Sequence, residues 1–235
     1  MQLNRIYQNV SLGKDCNIEA FASIGLAPRG YKDGELETIL GDRVEVKTHA
    51  TICSGNRIGN DVSLGHGLYM RHGSQIGDHV IIGSHSNLEW DIIIQKDVTI
   101  GSYAGIAEYS MIDEGCWLGP QVSLPSVLHP LCPKAKECGR GAHLYPAVTV
   151  GAGATIYPDL QIGTGALIEP GSVVVTDVPP FAVMQGNPAK QIGDIFSLDL
   201  DIVERVAQYI DISPASIQKI ESEFKSQNSL FSLQK

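Results

Sequence analysis

Histidine is the side chain best suited to move a proton near neutral pH, and two stretches of this sequence place histidines where they could do so. His129 ends the stretch VSLPSVLH and is followed directly by a proline, in a segment that we predict to be a loop. A loop can carry a general base to a reactive group, and a solvated histidine without chemistry is the alternative. His66 lies between two glycines, which would let a ligand approach the backbone closely. His129 is therefore a candidate general base, with His66 as the second candidate.

Arg71 and His72 lie five and six residues after His66, in the same stretch GHGLYMRHG. A guanidinium group can hold a phosphate or a carboxylate through two parallel hydrogen bonds, so we predict that these two residues bind substrate. A salt bridge between subunits is the alternative interpretation of Arg71.

A metal site is a further hypothesis, because His129, Cys132, Cys138 and His143 form the spacing H-x2-C-x5-C-x4-H. These side chains are suitable zinc ligands, but the cysteine spacing is wider than the usual two to four residues. A zinc ion at these residues would stabilise the loop and remove His129 from catalysis. We expect no metal, and scattered cysteines, five in all, are typical of reduced thiols in a cytoplasmic protein.

The elements that carry these residues follow from a repeat of six. An aliphatic residue recurs at every sixth position from residue 40 to residue 124, and small side chains often lie two positions before it. These positions are Leu40, Val46, Ile52, Ile58, Leu64, Met70, Ile76, Ile82, Leu88, Ile94, Ile100, Ile106, Ile112, Leu118 and Leu124. The period fits neither a helix nor a simple strand, and it is typical of a hexapeptide β-helix. Three hexads would close one coil, so residues eighteen apart should stack.

The organisation of the chain follows from where this repeat is interrupted. We predict an all-β solenoid domain over residues 1–193, with the regular β-helix from about residue 6 to 178. Loops are expected at about 25–39 and 125–143, where glycine, proline and charge replace the hexads. Helical spacing in LDLDIVERVAQYI and in SPASIQKIESEF predicts a C-terminal helical tail over 194–235, which would cap the open end of the solenoid.

The composition of the chain limits the kinds of partner that it can bind. The net charge of −9 argues against a nucleic-acid partner, and no apolar run reaches the length that would span a membrane. The N-terminus shows no basic segment followed by an apolar core, so we expect no signal peptide and a cytoplasmic location.

The hexads, the projecting loop and the segment DVPPFAVMQGNPAK together resemble the left-handed β-helix acyltransferases of the hexapeptide-repeat superfamily. GPQVSLPSVLHP is similar to the segment of galactoside and maltose O-acetyltransferases in which a catalytic histidine precedes a proline. The stretch IGLAPRGYKDGELETILGDRVEVKTHATICSG resembles nucleotide-sugar acyltransferases of the same superfamily. The resemblance covers about residues 6–192 and implies a left-handed parallel β-helix.

The resemblance also implies an activity: transfer of an acyl group from acyl-CoA, with acetyl-CoA as the expected donor, to an amino or hydroxyl group of a sugar or nucleotide sugar. It implies a homotrimer with sites between subunits, and a role in polysaccharide biosynthesis. Within it, His129 matches the catalytic base, Gly151 and Ala152 match the segment whose amide holds the thioester oxygen, and Lys190 matches a position near the coenzyme A phosphates.

Two other functions stay open at this point. GHGLYMRHG faintly resembles the γ-class carbonic anhydrases, which share this solenoid and bind zinc through three histidines, but the histidine spacing differs by one residue. A metal-dependent hydratase is therefore one alternative. A non-catalytic solenoid that serves as an assembly scaffold is the other.

Overall fold

The computed structural model describes residues 3–129, 131, 133, 139–198 and 200–210. Short parallel strands form three sheets, and each coil of the chain contributes one strand to each sheet. Consecutive strands of one sheet are eighteen residues apart over the regular coils, as in the pairing of Met70 with Leu88. The predicted left-handed parallel β-helix is confirmed.

The strands are distributed over three sheets, here called A, B and C. Sheet A contains β1 (Arg5–Ile6), β4 (Ser23–Leu26), β7 (Thr51–Cys53), β10 (Tyr69–Met70), β13 (Asn87–Leu88), β16 (Gly105–Ile106), β19 (Ser123–Leu124), β22 (Thr155–Ile156) and β25 (Val173–Val174). Sheet B contains β2 (Val10–Leu12), β5 (Thr38–Leu40), β8 (Arg57–Ile58), β11 (Gln75–Ile76), β14 (Ile93–Ile94), β17 (Met111–Ile112), β20 (His143–Leu144) and β23 (Gln161–Ile162). Sheet C contains β3 (Asn17–Ile18), β6 (Glu45–Val46), β9 (Ser63–Leu64), β12 (Ile81–Ile82), β15 (Thr99–Ile100), β18 (Trp117–Leu118), β21 (Thr149–Val150), β24 (Leu167–Ile168), β26 (Ala182–Gly186) and β27 (Ala189–Asp194).

The hexad explains both the core and the corners. The repeated aliphatic residue of each strand points inward, and the described core is a continuous column of such residues from one coil to the next. Between strands the chain turns through a residue with positive φ, such as His49 at 60° or Tyr103 at 60°. Stacked turns approach closely: a Cβ on Gly83 would lie 2.3 Å from the amide nitrogen of Ser102, which only glycine avoids.

Both interruptions of the repeat leave the solenoid at the same corner, the one between sheets A and B, here called the A/B corner. The first excursion covers 27–37, because β4 continues to Leu26 and β5 begins at Thr38. The second covers 125–142, because His143 already belongs to β20. The excursions lie within the two predicted loop ranges, and residues 25–26, 38–39 and 143 of those ranges are strand residues.

The C-terminal segment was predicted less well. Strands β26 and β27 form an antiparallel hairpin at the edge of sheet C, which the hexad pattern does not predict. A 3-10 helix, Ile195–Ser197, and helix α1, Leu200–Ala207, follow it. The predicted second helix in SPASIQKIESEF lies outside the described residues, and the domain boundary at 193/194 stays a prediction.

Helix α1 packs against the side of the solenoid, so this part of the predicted tail does not cap the open end. Arg205 donates to Thr149 Oγ1 at 2.8 Å and to the Gly115 carbonyl at 2.9 Å. Glycines make room for the segment: a Cβ on Gly165 would lie 2.9 Å from Val206. For this helix, the free energy gained by burying apolar side chains at the small-residue corner between sheets B and C thus exceeds the gain from covering the strand edges. None of the described helices has the length and apolarity needed to cross a membrane.

Candidate active site

The A/B corner between the two excursions collects the polar and aromatic side chains of several consecutive coils. Arg71 and His72 follow β10, and Glu89 and Trp90 follow β13 one coil later. Tyr31 reaches the same corner from the first excursion, with its ring 5.8 Å from that of His72. The two residues predicted to bind substrate are therefore neighbours within one cluster.

Arg71 is held by its neighbours in the next coil. Its Nη1 donates to Glu89 Oε2 at 2.7 Å, and its guanidinium carbon lies 4.3 Å from the centre of the Trp90 ring. Asn87 Nδ2 donates to the other Glu89 oxygen at 3.0 Å. The charge of Arg71 is therefore balanced by a carboxylate of its own chain, which favours a structural ion pair over a free phosphate-binding group, and this pair lies within the subunit.

His72 is stacked between rings. Its imidazole lies 6.3 Å from the Trp90 ring, nearly parallel at 19°, with Tyr31 on another side. Its Nδ1 is buried and finds no hydrogen-bond partner among the described residues. A buried nitrogen without a partner costs about 1–3 kcal/mol, so this corner carries an unsatisfied polar atom.

Buried polar groups fix the backbone beneath this cluster. Asn56 is fully buried, and its Nδ2 donates to the carbonyl oxygens of Arg71 at 2.6 Å and Cys53 at 2.8 Å. Its Oδ1 accepts from the Ser74 amide at 2.8 Å. Burial raises the pKa of the Cys53 thiol, which lies 3.9 Å from Tyr69 Oη, so this thiol is not prepared as a nucleophile.

His129 lies on the same corner, further along the solenoid. It is exposed and follows β19 at the start of the second excursion. The corner of β19 is three coils from that of β10, which corresponds to about 14 Å at ~4.8 Å per coil. His129 and His72 are therefore on one edge of the molecule, at a separation that an extended ligand of sugar-nucleotide size could span.

Gly151, Ala152 and Lys190 lie at the opposite edge of sheet A, at the corner between sheets C and A, here called the C/A corner. The amide of Ala152 donates to no described residue, but the equivalent amides of Ser84 and Ser102 are also unused, so this is a property of the corner. Lys190 is exposed in β27, three strands from β21, or about 14 Å. The geometry of one chain brings these residues near each other and leaves them away from His129.

His66 also lies at the C/A corner, in a ladder of rings. Its ring meets the edges of His49 at 5.4 Å and His85 at 5.1 Å, and Phe21 and Tyr103 continue the stack. Its Nδ1 contacts Thr48 Oγ1. One nitrogen of His66 is thus engaged within the chain, and the ring is exposed along with the ladder.

The metal hypotheses find limited support in the described residues. These contain no group of three or more histidine, cysteine, aspartate or glutamate side chains able to hold an ion. Cys132 and Cys138 lie outside the described residues. His143 Nε2 donates to Asp113 Oδ2 at 2.9 Å, so that nitrogen is already paired.

Sequence reasoning missed Trp90 and Glu89 as members of this cluster, although the signal was present. They lie eighteen residues after His72 and Arg71, which is the predicted stacking interval. Tyr31 and Asn56 could not be found in this way, because the conformation of the first excursion and the choice of buried polar partner depend on contacts between coils.

The repeats match the family model described as bacterial transferase hexapeptide (six repeats) over residues 57–89. The acyl-[acyl-carrier-protein]--UDP-N-acetylglucosamine O-acyltransferase of Paracoccus denitrificans is 28% identical over 108 residues, 42% of this chain and 41% of that protein. The enzyme of the same name from Burkholderia lata is 25% identical over 128 residues, 51% of this chain and 49% of that protein. The chain thus spans about half or less of the length of these relatives.

Two solved structures share the architecture. The UDP-N-acetylglucosamine acyltransferase of Francisella novicida superposes with a TM-score of 0.54 at 18% identity, covering 94% of this chain and 78% of that one. A polySia-specific acetyltransferase gives a TM-score of 0.50 at 19% identity, covering 88% of this chain and 99% of that one. Similarity at this level establishes a common fold.

Proposed function

We propose that this chain, which belongs to the hexapeptide-repeat superfamily, is an acyltransferase that acylates a hydroxyl or amino group of a sugar or nucleotide sugar. The observation that carries the proposal is the A/B corner, where two excursions flank a cluster of Trp90, His72 and Tyr31 on a hexapeptide solenoid. Aromatic rings beside an imidazole suit the apolar face and hydroxyl groups of a sugar. The acyltransferase names of the relatives support the reaction class.

The chemistry proposed is direct transfer. A histidine removes the proton of the acceptor as its oxygen or nitrogen attacks the thioester carbonyl, and backbone amides stabilise the oxyanion that forms. In this proposal His129 is the base and the Ala152 amide the oxyanion donor. Because they lie at opposite edges of sheet A in one chain, the proposal requires that neighbouring subunits of a homotrimer bring them together.

The acyl donor is proposed to be a thioester, either acetyl-CoA or an acylated carrier protein. Lys190 and the hairpin of β26 and β27 lie on the Ala152 side, and Gly186 ties the hairpin to this corner through Ser172 Oγ at 3.2 Å. A cationic group there suits the phosphates of coenzyme A or of a phosphopantetheine arm. The names of the relatives specify an acyl carrier protein, so both donors belong in the test.

The test is a screen of simple sugars and nucleotide sugars, with acetyl-CoA in one arm and acyl carrier protein charged with short or long chains in the other. Release of free thiol is measured with and without each acceptor. We expect acceptor-dependent thiol release in one arm, and mass spectrometry of the product will distinguish N- from O-acylation. No release with any pair, together with no binding of either donor, would leave the scaffold as the better interpretation.

A further inference from the structure

A histidine–carboxylate pair outside the cluster described above has the geometry of a general base. His143 Nε2 lies 2.9 Å from Asp113 Oδ2, and the two side chains are only 19% and 20% exposed. The His143 ring also stacks on Tyr145, with ring centres 4.1 Å apart and planes at 21°. The hydrogen bond therefore fixes the edge of the imidazole, and the stacking fixes the plane of the ring.

The pairing determines which nitrogen of His143 can accept a proton. A carboxylate can only accept, so Nε2 carries the hydrogen and donates it to Asp113. Nδ1 then holds a free lone pair. It has no hydrogen bond within the described residues and is not among the buried unpaired atoms. A carboxylate that orients an imidazole whose other nitrogen is open is the arrangement that proton abstraction requires.

A groove of about 440 Å³ lies on the same sheet, toward the C-terminal end of the solenoid. It is lined in part by Tyr145, on which His143 stacks, and by Gln161, which pairs with His143 across sheet B. Pro179 and Pro180 supply apolar walls, and Thr164 adds a hydroxyl.

The charge of this groove indicates what it can hold. Asp177 is the charged residue among its described lining, and its Oδ1 accepts from the Gln161 amide at 2.8 Å. No lysine or arginine belongs to that described lining, so a phosphate would meet a carboxylate without a cation. An uncharged or amine-bearing alcohol with an apolar part fits instead.

We propose that His143, oriented by Asp113, is a general base for acyl transfer and that the adjacent groove binds an uncharged or cationic alcohol as acceptor. His143 Nδ1 takes the hydroxyl proton while the oxygen forms a bond to the acyl carbonyl carbon. The bond from that carbon to the leaving group then breaks, and the leaving thiolate takes the proton from Nδ1. The second excursion connects the two candidate bases along the chain. The backbone amide of Arg140 donates to the Ser126 carbonyl at 2.9 Å, which holds the two ends of the excursion together.

This inference rests on the acyltransferase function proposed above, so its test uses an acyl donor that needs neither coenzyme A nor a known sugar. The probe is p-nitrophenyl acetate, with water or glycerol as the acceptor and p-nitrophenolate release as the readout. A positioned base contributes about 10²–10⁴-fold, so His143→Gln should lose at least about 10²-fold in kcat/KM. Glutamine can still donate to Asp113 and fill the site but has no proton-accepting nitrogen. Asp113→Asn should lower kcat with little change in KM, because the imidazole is no longer held in the reactive tautomer.

The chain offers a matched control in a second pair, His79 Nδ1 and Asp97 Oδ1 at 3.1 Å, which lies at the corner between sheets B and C. His79→Gln and Asp97→Asn should keep the wild-type rate. An equal rate for His143→Gln and His79→Gln, or a wild type no faster than free imidazole, would overturn the proposal. If p-nitrophenolate release depends on His143 while no thioester donor reacts, the role of His143 as a base stands and the proposed acylation of a sugar is wrong.

Discussion

The substitution Asn56→Ala tests whether buried polar pairing fixes the A/B corner. The side chain is fully buried and makes three hydrogen bonds to backbone groups of two coils, with Cys53, Arg71 and Ser74. At about 1 kcal/mol net for each bond, the loss is at least about 3 kcal/mol, and the Ser74 amide left without a partner adds to it. For a chain of this size that corresponds to a fall in Tm of roughly 6–12 °C.

Thermal unfolding followed by circular dichroism measures the effect, with urea denaturation as a second measure of the free energy of unfolding. The matched control is Asn60→Ala, because Asn60 also bonds stacked turns but is partly exposed, so water can replace its partners. A Tm change for Asn56→Ala no larger than that for Asn60→Ala would refute the reasoning. In an activity assay, Asn56→Ala should raise the acceptor KM more than it lowers kcat, because the Arg71 backbone beneath the ring cluster loses its support.

Three further predictions address the site and the core. His129→Ala should lower kcat by about 10²–10⁴-fold with little change in donor affinity, whereas His66→Ala should mainly raise the acceptor KM. Steady-state kinetics with both substrates varied will separate the two effects. The reverse result would exchange the roles of the two residues. Trp90→Ala should raise the acceptor KM roughly threefold to tenfold, since a lost aromatic contact is worth about 0.5–1.5 kcal/mol, and Trp90→Phe should restore most of it. Burial raises the pKa of the Cys116 thiol from its usual value near 9 to about 12. The unfolded chain therefore loses this proton at lower pH than the folded chain, so the free energy of unfolding should be constant below about pH 9 and fall as pH rises toward 12. Urea denaturation of Cys116→Ala at a series of pH values should show a weaker fall. Equal pH dependence in both proteins would contradict the assignment.

The structural features that could be predicted from the sequence are mainly those that depend on the six-residue interval. Met70 and Leu88 are aligned because every hexad supplies an inward side chain, and that is a local property that the chain carries in its spacing. The same interval already implied that His72 and Trp90 stack. The position of Tyr31 depends on the path of an excursion of eleven or so residues, which is set by its contacts with distant coils. Helix α1 was mislocated for the same reason, because the turns that receive its segment include Gly115 and Gly165, which look like ordinary turn glycines in the sequence.

The position of the two candidate bases links the mechanism to the assembly. A base must lie about 3 Å from the acceptor's hydroxyl or amino group, and an oxyanion donor about 3 Å from the oxygen of the carbonyl group that the acceptor attacks. Ala152 and the A/B corner after β22 are separated by the width of sheet A, five residues at about 3.3 Å each, or roughly 16 Å. A mechanism that uses His129 and the Ala152 amide therefore needs a second subunit, and its rate per chain should fall when a trimer is diluted below its dissociation constant. His143 stacks on Tyr145, which lines a groove formed by residues of the same chain, so a reaction at that base should keep its rate per chain on dilution. Activity measured against protein concentration, with mass photometry on the same samples, thus distinguishes the two bases without any substitution.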